Sequence, residues 1–496
     1  MYQGNAIKTI TQNSELIAKM YLTDLTEVRE LMMPLYSEKP RGEKPRDPVT
    51  MLRSYILMKQ THETSVTKWV DTLKTNDSYA ILSGFKPDDV PGVGTFYDFI
   101  DRLFGIDDDK KQQLKERTRI FKRKPTKKYK KNEKQPPKHP DIINKLSQRF
   151  INNEHKELHL GQNEILQQIF RSSFVNHSAE LGLLGDINNL ITSGDGTLIK
   201  TAASHYGIKI CDCVKKGISN CNCKRKFSDF GARWGWDSYR EKWVYGYSFF
   251  EINACGGKYD LPIYFIQTQA QRNDGVSSIV ALDQAIKLYP NLKFVKNLGD
   301  SAMDNYGYYK FLDHHNIEPF IDLNVTKTGN FIYKELNIDE NGVPICEGDF
   351  QMVHSGYCQD RMRHKWRCPR KVLKSFPPEN ETICKKFDYC SKSDYGRTFY
   401  TYQKDNIRLF TKTPRGSREW KTIYKMRSAS ERSNKRKKKD YQLEQDNVRG
   451  DYRWMFRYAL GAMCQHIDAW LAESKERFGE MCLEWEKVDL TAKRPT

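Results

Sequence analysis

From residue 188 onward the sequence alternates short runs of strand composition with helical runs, and this alternation restricts the folds open to it. Residues 190–201 and 243–255 are rich in β-branched and aromatic side chains, and 261–268 follows a Gly256-Gly257 turn. Residues 276–288 carry apolar positions at helical spacing and stop before Pro290. A fourth strand, 292–299, ends directly in Asp300; 306–314 reads as a helix and 317–323 as a fifth strand. Three strands, helix, strand, helix, strand predicts an α/β domain built on one mixed sheet. A cysteine-rich insertion, 324–417, interrupts this domain before a further strong helix. Residues 452–478 then read as a long amphipathic helix.

Upstream the texture is different. Residues 1–107 read as an all-helical N-terminal domain, with apolar positions at helical spacing over 49–59, 66–73 and 95–103. Pro48 and the turn at 88–92 punctuate it. Such short helices fit either a helix-turn-helix DNA reader or an ordinary bundle. Residues 108–187 form a basic linker and a helical segment. Lys127, Lys128, Lys130 and Lys131 crowd together ahead of Pro136-Pro137, too charged to be buried, and read as an arm for a DNA backbone or as a solvated linker. The α/β domain is then 188–323 together with 418–496.

The charge agrees with a polyanionic partner. Lys and Arg number 82 against 63 Asp and Glu, a formal charge of +19, and such an excess favours nucleic acid through counterion release. No stretch approaches the ~20 consecutive apolar residues that span a bilayer. No basic-then-apolar secretory pattern opens the chain. The expectation is therefore a cytoplasmic, nucleoid-associated protein without a membrane partner, whose cysteines are reduced thiols or metal ligands.

The chemistry concentrates on one predicted helix. Tyr424, Arg427, Glu431 and Lys438 stand at offsets of 3, 7 and 14 from the first. At about 100° per residue they share a ~60° arc. A carboxylate flanked by Arg and Lys is arranged as a metal ligand with phosphate-gripping neighbours, although a solvated helix face with an ion pair has the same pattern. Two further carboxylates add weight. Asp195 lies in Ser-Gly-Asp-Gly-Thr within the first strand, and Asp300 in Gly-Asp-Ser-Ala-Met-Asp at the end of the fourth. Asp304 is the alternative to Asp300, which is preferred because it ends the strand.

The spacing Tyr-x2-Arg-x3-Glu-x6-Lys resembles the signature of the large group of bacterial insertion-sequence DDE transposases named for those four letters. That group's catalytic domain is RNase H-like, a fold with the element order read above. Gly194-Asp195-Gly196-Thr197 and Gly299-Asp300-Ser301 resemble its two Asp motifs, and Val244-Tyr245-Gly246-Tyr247 its intervening strand. Residues 46–103 are similar to its upstream helical domain. The resemblance implies a transposase that cleaves and joins double-stranded DNA, at terminal inverted repeats and target sites, as a homodimer on DNA. It implies Asp195, Asp300 and Glu431 holding two Mg²⁺ or Mn²⁺ ions, with Asp195 bridging. Arg427 and Lys438 would then neutralise phosphates and Tyr424 would position the backbone. A domesticated DNA-binding protein and a nuclease of the same fold stay open as alternatives, and the intact triad favours the enzyme.

The cysteines depart from that group's common pattern. Cys211, Cys213, Cys221 and Cys223 form C-x-C-x7-C-x-C, enough thiolates for tetrahedral zinc. Cys346, Cys368, Cys384 and Cys390, with His354 and His364 nearby, offer a second, looser zinc set. Cys255, Cys464 and Cys482 are isolated and read as core residues or bystanders.

Overall fold

The computed structural model describes residues 14–36, 45–122, 141–154, 164–324, 331–373, 390–391 and 393–485. In chain order the first nine strands are β1 (Thr118–Ile120), β2 (Leu190–Lys200), β3 (Ile208–Lys209), β4 (Lys224–Lys226), β5 (Arg233–Asp237), β6 (Lys242–Ala254), β7 (Leu261–Gln269), β8 (Phe294–Gly299) and β9 (Glu318–Ile321). The central sheet runs β5-β6-β2-β8-β9, with β7 also paired to β6. β6 is antiparallel to β2 and to β7, whereas β8 is parallel to β2 and β9 parallel to β8. The sheet is therefore mixed, as the alternation predicts. Each parallel step needs a crossover. The helices Asp274–Leu288 and Tyr306–His314 supply them.

Alternation along β2 sorts the two faces. Thr192, on one face, bonds Asn297, which accepts from Tyr308 of the second crossover helix. On the same face Tyr264 reaches Gln284 of the first. The other face carries Asp195, Glu251 and Phe249, and it is covered by residues 418–440 and by the C-terminal helix Asp451–Trp485.

That last helix is not amphipathic over its middle, contrary to the expectation for 452–478. Every residue from 454 to 467 is buried. It runs between the sheet and the N-terminal helices, so both sides are covered and no polar stripe is required. Its polar members are satisfied internally. Gln465 donates to the Ser433 carbonyl at 2.9 Å, and the His466 ring bridges Ser178 and the Pro262 carbonyl.

The N-terminal region is helical, as its periodicity predicts. Helices Pro48–Gln60, Val66–Thr75 and Asp77–Ser83 start at Asp47, Ser65 and Asn76, whose side chains accept from the first turn. Tyr55 packs edge-on against Phe96 and Phe456, at 5.2 and 4.8 Å between ring centres. Lys59 forms a buried ion pair with Asp446 at 2.8 Å. One continuous core thus extends from Met20 to Trp470.

Within 324–417 the chain builds two small sheets. β10 (Phe331–Tyr333), β11 (Leu336–Ile338) and β12 (Pro344–Ile345) form one; β13 (Val353–Cys358), β14 (Arg363–Arg367) and β15 (Thr398–Tyr402) form the other. Among the described residues no helix is long and apolar enough to cross a membrane.

Candidate active site

Asp195 stands directly across the β2–β6 ladder from Glu251. Opposed residues share a face, so both carboxylates point toward residues 418–440. On the other side of β2, Ser193 pairs with Leu298 in parallel register. Two residues further on, β8 has ended and Asp300 is level with Asp195. Asp300 turns the chain there, accepting the Ala302 N–H at 3.0 Å. Gly299 pairs with Ile321, so Asp322, immediately after β9, continues the row.

Asp274, the first residue of the crossover helix, joins this group. Gly196 points to the face opposite Asp195, and a Cβ there would collide with the Asp274 carboxylate. The glycine therefore gives Asp274 its place. Burial pushes Asp195 up to about 7, with the charges of Asp274 and Asp300 adding to the shift. Burial likewise pushes Asp274 up to about 6, with Asp300 adding. Among the described residues, no three of the site's carboxylates have oxygens all within 4.8 Å of one another.

Residues 418–440 cross this row. Ser417 caps the first helix, accepting the Trp420 N–H at 3.1 Å. The single regular helix expected here is instead composite. Arg418–Tyr424 is α-helical, Lys425–Arg427 a tighter 3-10 turn, Ser428–Lys435 α-helical and Arg436–Asp440 a wider π turn. Uniform 100° steps therefore do not describe where Lys438 stands. Ala429, Ser430 and Ser433 are buried, and such small side chains let the helix lie close to the sheet. Arg432 pins its outer side through Asp260, at 2.5 Å.

The predicted side chains follow in order. Tyr424 stacks on Trp420 with ring centres 4.4 Å apart. Its phenol is pushed up to about 12 by burial, then by the charge of Asp322, with Asp300 and Glu431 adding less. Arg427 pairs with Glu431 at 2.8 Å. Burial works against its charge, while Glu431 and, more weakly, Asp300 favour it. Glu431 itself is exposed, at 52 % of its side-chain surface. One turn later the Asn434 amide donates to Asp195 at 3.3 Å. Lys438 lies 3.7 Å from Glu444; its pKa is lowered by burial, against which Glu444 and Asp195 act. Tyr424, Arg427 and Lys438 thus all sense the aspartates of the sheet, and Glu431 sits between them on the same helical stretch.

Asp304, the alternative to Asp300, is fully buried and engaged. Its oxygens accept from Arg408 at 2.6 and 2.5 Å, from Tyr309 and from the Asn324 N–H. Lys127, Lys128, Lys130 and Lys131 lie outside the described residues, as does Cys384. Cys346 packs among Leu336, Val343, Met352 and Trp366, as a core side chain does. Among the described residues, Cys346, Cys368 and Cys390 do not gather into a ligand group, whereas Cys211, Cys213, Cys221 and Cys223 do. His354 instead contacts His364 at 3.0 Å.

Asp274, Asp322 and Asn434 were not legible as site residues in the sequence. Asp322 had a usable signal, since it ends a parallel strand just as Asp300 does. Asn434 falls one turn after Glu431 on the predicted stripe, although an amide there ordinarily reads as solvated surface. Asp274 follows the capping Asn273 and looks like a first-turn acid.

Residues 5–102 match a family described as Transposase domain (DUF772). The match covers the N-terminal helical region. Its helices Pro48–Gln60 and Val93–Leu103 pack, through Tyr55, Phe96 and Phe99, on the C-terminal helix that also supports the candidate site through Tyr458. No curated protein matches the chain.

Proposed function

We propose that the protein is a DDE transposase with an RNase H-like catalytic domain, cleaving DNA at the ends of an insertion sequence and joining them to a target. One observation carries the reading. The stretch bearing Glu431 crosses the sheet where Asp195 and Asp300 stand level, tied there by the Asn434–Asp195 bond, with Arg427 paired to Glu431 and favoured by the charge of Asp300. The sheet order supports the fold, with β2 central, β6 antiparallel to it and carrying β5 and β7, and β8 and β9 parallel on its other side. The transposase domain at 5–102 supports the activity.

The donor set fits a hard divalent cation. Asp195, Asp300 and Glu431 offer oxygen ligands only, which suits Mg²⁺ or Mn²⁺. Crowded carboxylates at a half-buried edge need a positive charge to stay ionised together. When bound, such ions would polarise the phosphodiester and stabilise charge on the attacking and leaving oxygens. Asn434 holds Asp195 in orientation. Arg427 and Lys438 grip phosphates next to the scissile bond. Tyr424, stacked on Trp420, is a rigid surface for the DNA backbone. Lys127, Lys128, Lys130 and Lys131 extend the contact along the duplex, and two copies would hold both ends together.

Labelled DNA carrying the element's own terminal repeats, incubated with the protein and Mg²⁺, tests this. Cleaved and joined products are expected. Cleavage without joining would make the protein a nuclease, and binding alone would make it a DNA-binding protein.

A further inference from the structure

A second chemical centre lies outside this site. Cys211 and Cys213 follow β3, and Cys221 and Cys223 precede β4. A tight turn joins them. The Cys213 carbonyl accepts both the Lys216 and Ile218 N–H groups, at 3.1 and 2.8 Å, and Gly217 adopts φ +74°, a conformation open to glycine. The turn folds the pairs face to face. Cys211 Sγ lies 3.5 Å from Cys221 Sγ, Cys213 Sγ lies 3.6 Å from Cys223 Sγ, and all four sulfurs fall within 4.8 Å of one another.

These spacings suit one ion. Four thiolates at ~2.3 Å around tetrahedral zinc stand about 3.8 Å from each other. A disulfide would need its sulfurs at about 2.05 Å. All four ligands are soft sulfur, with no water or carboxylate in the set, so the site is closed and structural.

The surrounding fold needs such a link. β3, β4 and β1 form a sheet whose strands have two or three residues. Sheets this small are not stable alone. Ile208, Ile210, Val214 and Ile218 are exposed, so among the described residues no apolar core covers this side of the hairpin. What does hold is at the far end. Arg119 of β1 stacks over Phe227 at 3.8 Å and donates to the Tyr245 hydroxyl and the Ala232 carbonyl of the central domain.

We infer that Cys211, Cys213, Cys221 and Cys223 bind one structural Zn²⁺, which closes the 208–226 hairpin and thereby fixes β1. Binding releases the thiol protons to solvent. β1 is the last strand ahead of the basic 123–140 run in the sequence, so the ion fixes the element nearest that run. This inference is independent of the proposed transposase chemistry.

Elemental analysis of the full-length protein, purified in reductant with zinc supplied, is expected to give one zinc per chain. Replacing it by Co²⁺ should give the visible d–d bands and near-ultraviolet thiolate charge transfer of a tetrahedral four-sulfur site. That measurement uses the parent protein and needs no variant to fold. The quadruple Cys→Ser variant at these positions should lose the metal, while Cys346→Ser should keep it. Zinc removal should speed tryptic cleavage after Lys215 and Lys216. A protein without zinc that gives no cobalt spectrum would overturn the assignment. So would zinc retained by the quadruple variant, which would move the site to the Cys346–Cys390 group.

Discussion

The Asn434 amide donates to the Asp195 carboxylate across 3.3 Å, and its own carbonyl accepts from Tyr458 at 3.2 Å. This one side chain joins the stretch carrying Glu431 to the strand carrying Asp195, and fixes both to the C-terminal helix. An outer partner of a metal-binding carboxylate usually contributes about 10–100-fold to activity or metal affinity.

Asn434→Ala should therefore lower Mg²⁺-dependent cleavage by about 10–100-fold and raise the Mg²⁺ concentration needed for half-maximal rate. DNA affinity should be unchanged. A magnesium titration of cleavage beside a gel-shift titration measures both, and a parent-like magnesium dependence would remove the positioning role.

The crowded carboxylates make a stability prediction for metal-free protein. Asp195 and Asp274 are held at about 7 and about 6 in the fold, against an ordinary value of 3.8. With raised folded values, the native state binds more protons than the unfolded chain between these limits. The stability this provides is complete below pH 3.8 and is lost as pH rises through 6 to 7. In chelator at pH 7.5, Asp195→Asn should thus be more stable than the parent by roughly 1–2 kcal/mol, allowing for solvent access. Divalent metal should stabilise the parent and leave the variant unaffected. Urea titrations at pH 5 and 7.5 test this; a parent that gains stability with pH alongside an unresponsive variant would contradict the electrostatic account.

Glu251 and Lys437 form a wholly buried ion pair at 2.6 Å beneath the site, completed by Ser433 and Tyr458. Lys437→Met leaves the Glu251 charge buried without its partner, which costs about 3–5 kcal/mol. The double variant with Glu251→Gln should recover most of that loss. Thermal unfolding of the three proteins decides it, and an unaffected Lys437→Met melting temperature would show that the pair contributes nothing to the fold.

The strands and crossover helices were readable in the sequence because their boundaries are local. Gly256-Gly257, Pro290 and Asp300 punctuate them, and helix 306–314 begins and ends where its periodicity does. The Arg427–Glu431 pair was readable too, since an ion pair one helical turn apart is a local feature. Three things were not. The all-round burial of residues 454–467 depends on the N-terminal helices packing from some 400 positions away. Asp274 enters the site only because Gly196, distant in sequence, has no side chain to exclude it. The π turn that carries Lys438 likewise arises where Lys437 is drawn inward to Glu251, a long-range partner with no local signal.

If the proposed function holds, the basic run bears on affinity and not on chemistry. Neutralising Lys127, Lys128, Lys130 and Lys131 should weaken DNA binding and flatten its dependence on salt, since fewer counterions are released. Cleavage at saturating DNA should persist. Gel-shift titrations over several salt concentrations measure the slope, and an unchanged slope would exclude these lysines from the contact.

The central claim is that Asp195 anchors a metal-dependent strand-cutting centre. Asp195→Asn keeps the size of the side chain and its bond to Asn434 while removing the charge that would hold the ion. The most direct measurement is Mg²⁺-dependent cleavage and strand transfer on terminal-repeat DNA by parent and variant, with binding followed in parallel. The account predicts that the variant binds as the parent does and produces neither cleaved nor joined DNA. Cleavage by Asp195→Asn at the parent's rate would contradict it.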